Sequence, residues 1–132
     1  MKGMIADTGP LYATIDPDDQ YHDQAQSELK RIETDKLFVI VPIPVYLETY
    51  SLLLYRLGFS QALRFARECN DVACLVSPSL KHYQTAVAKV AQFPDQRITL
   101  ADAVIAVLAA ERALPVWTYD YHFDVMRVQV WR

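Results

Sequence analysis

The chain has 132 residues, 52% of them hydrophobic and 22% charged, with a formal net charge of −3. That length and balance fit one folded domain with a proper core and exclude a disordered chain. The net negative charge argues against a broad basic surface that holds nucleic acid by charge alone, while leaving room for a local basic rim. The longest apolar stretch, within Leu100–Ala110, is too short for a membrane span and is interrupted by Asp102. The opening Met-Lys-Gly-Met-Ile-Ala-Asp lacks a secretory hydrophobic region, so a cytoplasmic protein is expected. Cys69 and Cys74 have no second pair or His pair beside them and read as core or near-surface thiols.

Met4-Ile5-Ala6 reads as a buried strand, ending at Asp7-Thr8-Gly9-Pro10. Pro10 then sits in the first turn of a helix that carries Leu11, Tyr12 and Ile15 and stops before Pro17. The acidic loop Asp16-Pro17-Asp18-Asp19 offers an N-cap for a polar outer helix over roughly 19–34. Leu37–Val41 is apolar throughout, as a central parallel strand is. Pro42 and Pro44 end it and start a helix to about Leu57, which Gly58 stops; Ser60 is expected to cap the next, to about Asn70. Ala73–Val76 is a third strand, and Ser77-Pro78-Ser79 opens a helix to about Phe93. Thr99 caps a buried helix that Pro115 halts, Val116–Thr118 is a fourth strand, and Val128–Trp131 alternates like a short edge strand. Strands alternating with helices give an α/β domain whose parallel sheet is covered on both faces.

Four carboxylates fall where such sheets bind ligands, at the carboxyl ends of strands. Asp7 follows the first strand, Asp120 follows the fourth, and Asp102 lies in the first turn of its helix. Glu48 sits in a helix apolar on almost all sides, with no cation among its helical neighbours Pro44, Val45, Ser51 and Leu52. Each of the others has an ordinary structural job as well. Asp7 and Asp102 could serve helix caps, the latter as half of a capping box with Thr99, and Asp120 could be a turn residue. Glu48 has no such job. Two carboxylates about 4 Å apart repel by roughly 4 kcal/mol at a surface-like dielectric, so four converging acids call for protons or a cation. An all-oxygen set without His or Cys suits a hard ion, Mg²⁺ or Mn²⁺, and water beside such an ion is a nucleophile for phosphodiester hydrolysis.

The segments Met4-Ile5-Ala6-Asp7-Thr8-Gly9-Pro10-Leu11, Glu48 in its apolar helix, Thr99–Ala106 and Thr118-Tyr119-Asp120-Tyr121-His122-Phe123, taken in order, resemble the PIN-domain family. The chain is most similar to its small VapC-type toxins, over residues 1–132 as a single domain. The resemblance implies a three-layer α/β/α fold with a mostly parallel sheet of four or five strands. It also implies a metal-dependent endoribonuclease that leaves a 5′-phosphate and a 3′-hydroxyl. Asp7, Glu48, Asp102 and Asp120 match the family's acidic quartet, with Asp7 and Asp102 as principal metal ligands. Glu48 would bind metal or orient its water, and Asp120 would complete the cluster or a second metal site. Thr118 matches the hydroxyl that accompanies the fourth acid, Thr8 is a supporting residue of the first motif, and Phe123 is packing. The resemblance further implies a homodimer and a small cognate antitoxin. The apolar surplus of Leu52–Tyr55 and Leu57-Gly58-Phe59 suits either contact. Arg56, Arg64, Arg67, Lys81, Lys89 and Arg97 are candidates for an RNA phosphate rim, although a solvated face explains any one of them. His22, His82 and His122 are assigned no chemical role.

The rival reading is a catalytically silent PIN-like module that binds RNA or protein; retention of all four acids weighs against it. A dehalogenase-type phosphatase needs a second Asp two residues after the first, where Gly9 stands. No phosphate-loop glycine pattern occurs.

Overall fold

The computed structural model describes residues 2–132. Four strands, β1 (Gly3–Ala6), β2 (Phe38–Pro42), β3 (Cys74–Val76) and β4 (Val116–Trp117), form one sheet in the order β3-β2-β1-β4. Every neighbouring pair is parallel, with Ile5 opposite Ile40, Ala6 opposite Trp117 and Val41 opposite Leu75. The helices are α1 (Thr8–Ile15), α2 (His22–Thr34), α3 (Ile43–Leu57), α4 (Phe59–Val72), α5 (Leu80–Val90), α6 (Leu100–Arg112) and α7 (His122–Val125). They cover both faces of the sheet in a three-layer α/β/α arrangement, so all four residues of β1 are buried. β1 and β2 meet closely at one point: a Cβ on Gly3 would come within 2.5 Å of the Phe38 carbonyl oxygen.

The apolar runs became strands and the periodic segments became helices, with differences that have local causes. Gly58 ends α3 at φ +98° and is itself the N-cap of α4, so Ser60 lies inside that helix instead of capping it. The Asp16–Asp19 loop forms turns of its own: Asp16 Oδ1 accepts the Asp18 N–H and Asp19 Oδ1 the Tyr21 N–H. Helix α2 therefore starts at His22, not at 19. At the far edge Val130 makes a single parallel bridge to Val116 in place of a strand, because α7 and a turn at Arg127 (φ 59°) consume the preceding residues. Between Thr99 and Asp102 only half of the expected capping box forms: Thr99 Oγ1 accepts the Asp102 N–H at 3.1 Å. A full box forms instead at α5, between Ser79 and His82, and His82 also bonds Glu111 of α6.

The switch in strand order falls between β1 and β4. In parallel sheets that is where a crevice opens at the strands' carboxyl ends. Asp7 leaves β1 there, and Thr118, Tyr119 and Asp120 leave β4 beside it. No helix among the described residues is long and apolar enough to cross a membrane.

Candidate active site

A cleft of about 470 Å³ opens at this point, and Asp7, Glu48, Asp102 and Asp120 all line it. Asp7 is held most firmly. Its Oδ1 accepts the Thr8 N–H at 2.9 Å and its Oδ2 accepts the Thr118 hydroxyl at 2.8 Å. Thr118 Oγ1 in turn accepts the Asp120 N–H at 3.0 Å, and Asp120 Oδ1 accepts the His122 N–H at 2.9 Å. One chain of hydrogen bonds thus fixes the end of β4 to the end of β1. Asp7 caps α1 as well as lining the cleft.

The acids differ in burial. Asp7 is buried, Asp102 and Asp120 are half-buried, and Glu48 is exposed at the rim. The last departs from expectation: α3 buries the face that carries Val45, Thr49 and Leu53, while Glu48, Leu52 and Arg56 turn to the cleft. Burial raises the Asp7 carboxyl from an ordinary 3.8 to about 6; Asp102 and Asp120 add repulsion, and the bonds from Thr118 and Thr8 oppose it. Asp102 is also raised, first by burial and then by Asp120, with Glu48 adding a smaller push and Thr99 and His122 opposing. A cluster that resists ionisation in this way favours any cation that neutralises it.

Arg56 is the one Lys or Arg among the described residues that lines the cleft; its guanidinium lies 5.1 Å from the Tyr12 ring centroid. The other five cations proposed for a phosphate rim do not line it. Sequence spacing held this signal, since Arg56 follows Glu48 and Leu52 at intervals of four. Tyr21 and Tyr119 also line the cleft. Tyr119 donates to Glu28, which also accepts the Trp117 indole N–H at 3.1 Å, and the Tyr21 ring lies 4.6 Å from that of Tyr119. Burial and the Glu28 bond push the Tyr119 phenol well above its usual range.

One further candidate was not foreseen, His122, which does not itself line the cleft. Donor atoms of Asp102, Asp120 and His122 all lie within 4.8 Å of one another, the one such group of three or more among the described residues. The sequence hint was the two-residue step from Asp120 to His122, which the short helix α7 turns into a shared direction. The remaining histidines are structural: His22 Nδ1 lies 2.7 Å from the Ala13 carbonyl, and His82 serves its capping box. Cys69 is buried, which pushes its thiol up to about 11, and Cys74 is exposed; both are free.

A family profile described as PIN domain matches residues 4–128, and the chain belongs to that family. The fold is shared with VapC20 of Mycobacterium tuberculosis, described as a sarcin-ricin loop cleaving toxin. The two have a TM-score of 0.86 and 20% identity over 98% of this chain and 99% of that one. It is shared also with VapBC2 of Rickettsia felis, solved with a DNA fragment from their promoter (TM-score 0.72, 14% identity, 96% and 95% covered). FitAcB of Neisseria gonorrhoeae is a third such structure (TM-score 0.66, 18% identity, 98% and 96% covered). No curated protein sequence matches the chain.

Proposed function

We propose that the protein is a divalent-metal-dependent endoribonuclease, the toxin of a toxin–antitoxin pair, that hydrolyses RNA phosphodiester bonds in the acidic cleft. The observation that carries this reading is the meeting of Asp7, Glu48, Asp102 and Asp120, from four separate parts of the chain, in one cleft. The donor set fits Mg²⁺ or Mn²⁺: carboxylate oxygens whose own repulsion and burial hold two of them above their ordinary pKa. Bound there, such an ion supplies Lewis-acid stabilisation of phosphate charge and eases deprotonation of a nearby water.

The chain's own residues do the rest. Thr8 and Thr118 lock the Asp7 carboxylate in one orientation. Asp102 and Asp120 complete the acidic wall, and Thr118 positions the turn that presents Asp120. Glu48, at the open rim, accepts the proton of the attacking water. Arg56, on the same helix face as Glu48, meets a phosphate oxygen as the positive charge that lines the cleft.

VapC20's description as a sarcin-ricin loop cleaving toxin supports the reaction class, and VapBC2 supports a partner. A homodimer is supported by an exposed stripe on α5, where Leu80, Tyr83 and Val87 stand at helical spacing. A small antitoxin is supported by the exposed Leu47, Tyr55 and Phe59 around α3 and the start of α4.

The test is cleavage of total RNA by the purified protein with Mg²⁺, Mn²⁺ or EDTA, beside Asp102→Asn. Discrete fragments that need metal and vanish in the variant are expected. Bound metal without cleavage of any RNA would favour the silent binding module instead.

A further inference from the structure

His122 is the one described residue whose buried side-chain nitrogen has no hydrogen-bond partner. Its side chain is 13% exposed, and Nδ1 lies 3.3 Å from Asp120 Oδ1 without the alignment of a hydrogen bond. That oxygen already accepts the His122 backbone N–H at 2.9 Å. Phe123, fully buried, anchors α7, and the Tyr121 ring packs 4.5 Å from the imidazole, so the ring direction is set from both sides. A ring nitrogen beside carboxylate oxygens needs something positive between them, either a proton on the ring or a bound cation. An unpartnered buried nitrogen is costly, and such a cost calls for an explanation.

The spacing suits an ion. Donors about 2.1 Å from a common centre lie about 3–4.2 Å apart, so a small side-chain rotation closes the observed set of Asp102, Asp120 and His122, whose donor atoms lie within 4.8 Å. We infer that His122 Nδ1 is a nitrogen donor to the cation held by Asp102 and Asp120, making that end of the cleft a mixed oxygen–nitrogen site that selects Mn²⁺ over Mg²⁺. Mg²⁺ favours all-oxygen surroundings and gives up its waters reluctantly, whereas imidazole suits transition-metal dications. Asp7 and Glu48, which stand outside the tight group, then define the all-oxygen side of the same cleft. The inference rests on the metal-dependent reading above and names what that reading leaves open, the preferred ion.

The test is metal binding by the full chain, read apart from activity. Mn²⁺ binding is followed through the loss of the free-ion electron paramagnetic resonance signal, and Mg²⁺ binding by calorimetry, for wild type, His122→Ala, His122→Asn and Asp102→Asn. His122→Ala is expected to weaken Mn²⁺ by about tenfold or more while changing Mg²⁺ less than about twofold. His122→Asn, which keeps a polar group of similar reach, is expected to lose the same preference. Electron spin-echo spectra of Mn²⁺ on the wild type should carry modulation from a directly bound ¹⁴N that both His122 variants lack. Absence of that modulation, or equal loss of both metals in the His122 variants, overturns the inference and leaves His122 as a residue that merely braces Asp120. Wild type that binds neither ion, or Asp102→Asn that binds both like wild type, removes the metal-dependent reading itself and the inference with it.

Discussion

The acidic cleft and the apolar groove on the α1–α2–α4 face are both concave and of similar size, about 470 and 380 Å³. They are held open by opposite physics. The groove is walled by Leu11, Ile15, Ile32, Val39 and Phe65, side chains whose burial favours folding by roughly 25 cal/mol per Å² removed from water. The cleft gathers carboxylates that burial and mutual repulsion push towards the neutral form. One region supplies the stability that the other consumes, as functional sites commonly require.

The largest expected effect lies on the cleft side. Asp7→Asn and Asp102→Asn should each lower RNA cleavage at least about a hundredfold, measured by turnover of a labelled transcript. If the comparison holds, Asp7→Asn should also melt higher than wild type without metal, because a buried charge is gone. On the groove side, Phe65→Ala should cost about 3 kcal/mol in urea unfolding while leaving metal affinity unchanged. A parallel loss of metal binding would mean that the two regions are coupled.

The third expectation concerns pH. Asp7 keeps its proton to about pH 6 in the folded protein but releases it near 3.8 when unfolded, so folding takes up a proton between those values. The metal-free protein should therefore lose stability as pH rises from about 4 to 6, by on the order of 3 kcal/mol, and show no further loss from this group above that window. Saturating Mn²⁺ should flatten the slope. A metal-free melting curve that is flat across the window would contradict the burial of Asp7 as an unrelieved charge. The smallest effect belongs to Thr118→Val, which removes the donor to Asp7 and the acceptor for the Asp120 N–H. About 1–2 kcal/mol of stability should be lost, and the Asp7 carboxyl ¹³C titration should move to higher pH.

The sequence made the sheet legible because Met4–Ala6, Leu37–Val41 and Ala73–Val76 are apolar runs bounded by turn residues. Asp7, Asp102 and Asp120 were legible because each follows a strand or opens a helix, and Glu48 because it stands in a helix with no capping role and no cation beside it. Glu48 falls in the expected helix, but on its exposed face. A helix rich in Leu, Tyr and Val reads as apolar all round, whereas packing buries only the face of Val45, Thr49 and Leu53. Arg56 was one of six similar candidates until the fold aligned it with Glu48. His122 stood out least, since a lone histidine after a turn gains meaning only once α7 directs its ring. Ser60 misled because a serine after glycine mimics a cap that Gly58 already provides.

The bond from Thr118 to Asp7 joins residues 111 positions apart, and among the described residues β4 pairs with β1 and with Val130 alone. Contacts this distant in sequence form late, after most of the chain is available. A nascent chain still short of Trp117 carries Asp7, Glu48 and Asp102 but lacks the strand that ties down the first of them. The cleft is thus assembled only once β4 has been made, and a copy that stops before β4 would carry three of the four acids without the Thr118 bond that orients Asp7.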